Sequence, residues 1–143
     1  CKLARRADRG AKHIDLKRGV INIPKIVSKT GEARQIVIRE NLRFWLERTG
    51  PEILPVNHDR LLKAVRKEFS LGHDVLRHSF ITYHVAAFRS IGDAAIEAGN
   101  TEAVTKKHYL NMALQSEGAA FWRIAPKGTT VTKKNEQPLT LVA

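Results

Sequence analysis

The chain has 143 residues, 43% hydrophobic and 27% charged, which suits one soluble globular domain with a real core. No apolar run reaches the roughly 18 residues that cross a membrane, and no signal-peptide pattern opens the chain. The single cysteine, Cys1, excludes an internal disulfide framework and a Cys-based zinc site, and fits an intracellular, reducing compartment.

Net charge is +11, and it is uneven. The first 50 residues hold 13 Lys/Arg against 5 Asp/Glu, a surplus of +8, and the remaining 93 carry only +3. A field this positive attracts polyanions, so nucleic acid is the expected partner.

Residues 1–12, "CKLARRADRGAK", are basic and read as a short helix or the end of a longer chain. From "HIDLKRGVINIPKIVSKTGEARQIVIRE" onward the β-branched residues Val20, Ile21, Ile23, Ile36, Val37 and Ile38 predict two or three short antiparallel strands. The turn signal "KTGE" puts a hairpin turn at about Lys29 to Glu32.

The remainder reads as helical. "ENLRFWLERTG" carries Leu42, Trp45 and Leu46 at helical spacing and stops at Gly50-Pro51. "NHDRLLKAVRKEFSLG" follows an Asn/Asp cap and aligns Leu61, Leu62, Val65 and Phe69 on one face. "DVLRHSFITYHVAAF" has Asp74 as its N-cap, with Leu76, Phe80, Tyr83 and Ala87 on one face. A short helix follows around Asp93 to Ala98, and another starts after Thr101 and carries Tyr109. In "SEGAAFWRIAP" Phe121 and Trp122 are the docking residues of a last short helix, packed in cis or on a neighbouring protomer. From about Lys127 to residue 143 the chain is polar and reads as a disordered tail. The expected fold class is α+β, a small antiparallel sheet followed by a mainly helical bundle, with residues 1–126 as the domain.

Several polar residues stand out. Arg77 lies inside an apolar helix and needs an anionic partner there; Asp74, three residues earlier, shares its face. Lys29 sits at the hairpin tip in "SKTGEAR". Asn100 follows Gly99 at a helix break. Tyr109 ends the basic segment "EAGNTEAVTKKHY". Taken singly, each is a solvated turn, a cap or a core residue.

Taken jointly, a hairpin lysine, "DVLRHSF", "EAGN" and a tyrosine nine residues after the Asn resemble the catalytic domain of tyrosine recombinases, the phage-integrase family. The resemblance covers roughly residues 12–125. It implies a DNA strand-breaking and rejoining activity with Tyr109 as nucleophile, Arg77 as phosphate clamp and Lys29 as general acid. The product is a 3′-phosphotyrosine, and no metal or cofactor is implied. Double-stranded DNA and self-association on it are the implied partners, in a bacterial or phage-associated cytoplasm or nucleoid.

The chemistry suits these residue types. An arginine donates two planar hydrogen bonds to a phosphate and stays charged. A lysine on a flexible stem reaches a leaving oxygen. The chain also departs from the family. Asp74 and Asn100 stand where the family's two motif histidines fall. Lys2 and Ala11 stand where its first arginine and a following aromatic fall. The N-terminus is thus expected to be truncated or divergent. A non-catalytic DNA-binding remnant of the same fold, or an unrelated basic RNA-binding protein, are the alternatives.

Overall fold

The computed structural model describes residues 11–28, 31–49, 57–110 and 112–132. A 3-10 turn, Ala11–His13, leads into β1 (Ile14–Asp15), which turns through Gly19 into β2 (Val20–Ile23). β3 is Arg34–Val37. The three strands form one antiparallel sheet in the order β1-β2-β3, with Ile21 opposite both Ile14 and Ile36. Six helices follow: α1 (Glu40–Thr49), α2 (His58–Glu68), α3 (Val75–Phe88), α4 (Ile91–Ala98), α5 (Glu102–Tyr109) and α6 (Gln115–Trp122). The α+β ordering expected from the sequence is therefore present.

The β2–β3 connection is not a tight hairpin. Pro24 cannot donate to the ladder and ends β2, and a 3-10 turn, Lys25–Val27, follows before the chain returns at Arg34. Lys29 lies outside the described residues.

The core sits on α3. Ile81, Val85, Ala94 and Tyr109 form one buried cluster between α3, α4 and α5. Ala87, Phe88 and Trp122 form a second where α6 packs on α3. Because helices cover α3 on several sides, its C-terminal half is buried all round rather than along a single stripe. The approach of α6 is close: a Cβ on Gly118 would lie 2.7 Å from the Ala87 backbone nitrogen.

Phe121 stacks on Tyr83 at 4.7 Å, and Trp122 Nε1 donates to the Tyr83 carbonyl at 3.2 Å. Both aromatics of the last helix are thus packed in cis. The chain then runs back along α1. Trp45 Nε1 donates to the Ile124 carbonyl at 3.3 Å, and the Thr132 N–H and hydroxyl both donate to Glu40, at 2.7 and 2.8 Å. Residues 127–132, expected in the tail, are held by these long-range bonds, which local composition does not reveal.

α2 has the expected apolar face, but none of its residues is buried. Leu61, Val65 and Phe69 are exposed.

Candidate functional site

The site is built where the N-terminus of α3 meets the C-terminus of α5. Asp74 occupies the N-cap position of α3 but makes no side-chain capping bond; its carboxylate lies 3.3 Å from His73 Nδ1. The first turn of α3 projects beyond the core, with Leu76 62% exposed and Arg77 and His78 exposed beside it. This corrects the expectation for Arg77. It does not lie on a buried face and is not paired with Asp74, because the apolar packing of α3 begins only at Phe80 and Ile81. Among the described residues its guanidinium has no ion pair or hydrogen-bond partner.

α5 starts where Thr101 Oγ1 accepts from the Val104 N–H at 3.3 Å. Thr105 and Tyr109, four residues apart, share the inward face and are buried, while Lys106, Lys107 and His108 are exposed. These cations also sit at the helix C-terminus, where they complement its dipole.

The Tyr109 ring is 6% exposed, yet its hydroxyl lies 2.9 Å from Nδ1 of the exposed His78. The two rings are 5.4 Å apart. The phenol thus buries its apolar body and keeps its polar tip in a hydrogen bond at the rim. His78 directly follows Arg77, so the "LRHSF" and "KKHY" segments meet at one point.

Asn100 is half-buried behind the α4 C-cap, where Gly99 is left-handed at φ +70°, and its N–H donates to the Ala95 carbonyl at 2.8 Å. A Cβ on Gly99 would fall 2.9 Å from the Arg34 guanidinium carbon, so a strand arginine is packed on the backbone beside Asn100. The structure therefore joins Tyr109 to the neighbour of Arg77, keeps Asp74 at the start of the same helix, and sets Asn100 before the helix that carries Tyr109. Lys29, as noted, is not described.

The opposite end of α3 holds a different polar group. Arg39, His84 and Glu97 are all buried. Arg39 Nη2 donates to His84 Nε2 at 2.9 Å and lies 3.7 Å from Glu97. The guanidinium also stacks over Phe88, 4.0 Å from its centroid, and Trp122, at 5.0 Å. Burial, and then the Arg39 charge, lower the His84 pKa to about 4, against which Asp93 and the Ser90 backbone pull upward more weakly. Burial likewise lowers the Arg39 pKa, opposed by Glu97 and Asp93, and raises that of Glu97, opposed by Arg39. A neutral imidazole accepting from a guanidinium is a structural element, not a reactive one.

A cleft between α3 and α6, lined by Ala87, Gln115, Ser116, Ala119 and Arg123, includes none of the expected site residues. Among the described residues no group of three or more His, Cys, Asp or Glu is placed to hold a metal ion, and no helix is long and apolar enough to cross a membrane.

Compared with family models, with curated proteins and with solved structures, the chain matches none.

His78 is the residue that sequence reasoning passed over. It sits inside the quoted motif, but its partner lies 31 residues on. The signal that could have found it is its place in that motif, as the histidine directly after the arginine.

Proposed function

We propose that this chain is a DNA-binding catalytic domain of the tyrosine-recombinase type, cleaving and rejoining DNA through a 3′-phosphotyrosine at Tyr109. One observation carries the reading. The Tyr109 hydroxyl is hydrogen-bonded to His78, the residue after the exposed Arg77 on α3, so the phenol meets the turn that carries the guanidinium. Such an arrangement suits a phosphodiester, whose non-bridging oxygens a planar guanidinium neutralises while the phenol attacks. Lys29 is the proposed acid for the leaving 5′-oxygen. Asn100 donates a hydrogen bond to phosphate and moves no proton. Asp74 helps to orient the start of α3. The positive surplus over the sheet half supplies contacts to the DNA backbone.

The test is a library of nicked duplexes of randomised sequence, in which the short 3′ fragment diffuses away after cleavage. Wild type is expected to become covalently trapped on DNA, and Tyr109→Phe is not. Duplex affinity should fall on the order of a thousandfold between about 50 and 200 mM salt, as for about six phosphate contacts. The burial of the Tyr109 ring and Lys2 at the first-arginine position favour one second reading, a DNA-binding remnant of this fold. Salt-sensitive duplex binding with no trapped adduct selects that remnant.

A further inference from the structure

Transfer of DNA to a phenol requires that the phenolic proton go somewhere. A phenol with an ordinary pKa near 10 is a poor nucleophile at neutral pH without an acceptor. Asp74 and Asn100, the other polar residues assigned to the site, do not supply one. An amide takes no proton at neutral pH, and the Asp74 carboxylate is turned to His73. Among the described residues, one titratable side chain is within hydrogen-bond distance of Tyr109 Oη, and it is His78, at 2.9 Å.

Resting on the reading of Tyr109 as nucleophile, we propose that His78 is the proton acceptor for Tyr109. With its own proton on Nε2, the imidazole presents the Nδ1 lone pair to the phenol O–H. As the Tyr109 Oη–phosphorus bond forms, the O–H bond breaks and its proton passes to Nδ1. The phosphorus–O5′ bond breaks in the same displacement, and the leaving oxygen takes a proton from the general acid. Rejoining runs the sequence backward, with the imidazolium returning its proton to the departing phenol. Nothing is oxidised or reduced. The exposure of His78 suits this role, because the acceptor has to release its proton and be reset between strands. Imidazole is also the side chain that exchanges protons near neutral pH.

The experiment is single-turnover trapping on nicked duplexes bearing either ordinary oxygen or sulfur at the bridging 5′ position. Four chains are compared: wild type, His78→Ala, His78→Asn and Tyr109→Phe. His78→Asn places an amide oxygen where Nδ1 lies, so it keeps the hydrogen bond to Tyr109 but cannot take the proton. Both His78 variants are expected to form adduct about a hundredfold or more slowly, the usual range for a missing general base. Added imidazole should restore part of the rate in His78→Ala. A thiolate leaves without a proton, so the sulfur substrate should leave the His78 defect unchanged. Wild-type rates in His78→Asn would overturn the proposal in favour of mere positioning. A defect erased by the sulfur substrate would overturn it in favour of His78 as leaving-group acid. Unaffected rates in both variants would also overturn it, while leaving Tyr109 as nucleophile intact. No adduct from wild type would remove the nucleophile reading itself, and the proposal with it.

Discussion

The two ends of α3 place the same kinds of residue in opposite circumstances. At the N-terminal end Arg77 and His78 are exposed; among the described residues the Arg77 side chain has no partner, and the His78 ring is bonded to a phenol at the rim. At the C-terminal end His84 is fully buried and accepts from Arg39, which is stacked on two aromatics and faces Glu97. Charge at the second end is consumed in holding α1, α3, α4 and α6 together. Charge at the first end faces solvent. The contrast teaches that an arginine or histidine in this sequence is informative only once its burial is known.

The sharpest way to break this comparison is to remove one arginine from each end. Arg39→Ala leaves Glu97 buried without its cation and strips a stacked side chain from Phe88 and Trp122, so it should cost about 3–5 kcal/mol in chemical denaturation. Arg77→Ala should stay within about 0.5 kcal/mol of wild type, as an exposed substitution does. Comparable losses at both positions would contradict the division.

Acid titration sharpens it next. His84 has its folded pKa at about 4, below the ordinary 6.5, so between these values the folded state binds fewer protons than the unfolded one. The corresponding stability is fully present above about pH 6.5 and is lost as pH falls toward 4, by roughly 3 kcal/mol at most. Glu97 acts in the opposite sense: its pKa is raised, so its contribution declines as pH rises through the folded value. Comparing wild type with His84→Gln isolates the histidine, and the variant should have the flatter acid limb. Identical slopes would mean that His84 is not held neutral.

The smallest effect concerns the helix that covers the buried end. Gly118→Ala puts a methyl against the backbone of Ala87 and Tyr83, at 2.7 and 3.0 Å, and backbone atoms cannot rotate away. The overpacking penalty of about 1–3 kcal/mol is partly offset by roughly 1 kcal/mol of better helix propensity, leaving a net loss of about 1–2 kcal/mol in thermal unfolding. An unchanged melting temperature would mean that α6 is held less closely on α3 than the geometry gives.

Local pattern made much of this fold legible. Helical spacing of Leu42 with Leu46, and of Phe80 with Tyr83 and Ala87, marks α1 and α3, while β-branched runs mark β2 and β3. Thr101 and Gly99 fix the bounds of α5 and α4 by capping chemistry that is local by nature. What escaped is what depends on distant partners. Arg39, His84 and Glu97 come from three segments, and each alone has the composition of a surface residue. Their only local trace is a histidine inside "YHVAAF" and a glutamate inside "AIEAG". The site was half legible. The family resemblance singled out Tyr109, Arg77 and Asn100 as candidates, but the placement of Arg77 on a buried face assumed that α3 is covered from its first turn, and that turn projects into solvent. The His78–Tyr109 bond joins residues 31 apart and follows from how α3 and α5 pack, which no local pattern encodes.

The central claim is that Tyr109 is the residue that becomes joined to DNA. The direct measurement is to trap the protein on nicked duplex, digest both components, and identify by mass spectrometry the peptide that carries the residual nucleotide. The account predicts the peptide holding Tyr109, with the adduct lost in Tyr109→Phe and kept in Tyr83→Phe, and with duplex affinity of Tyr109→Phe within about threefold of wild type, or about 0.65 kcal/mol. An adduct on Tyr83, or one that survives Tyr109→Phe, would contradict it.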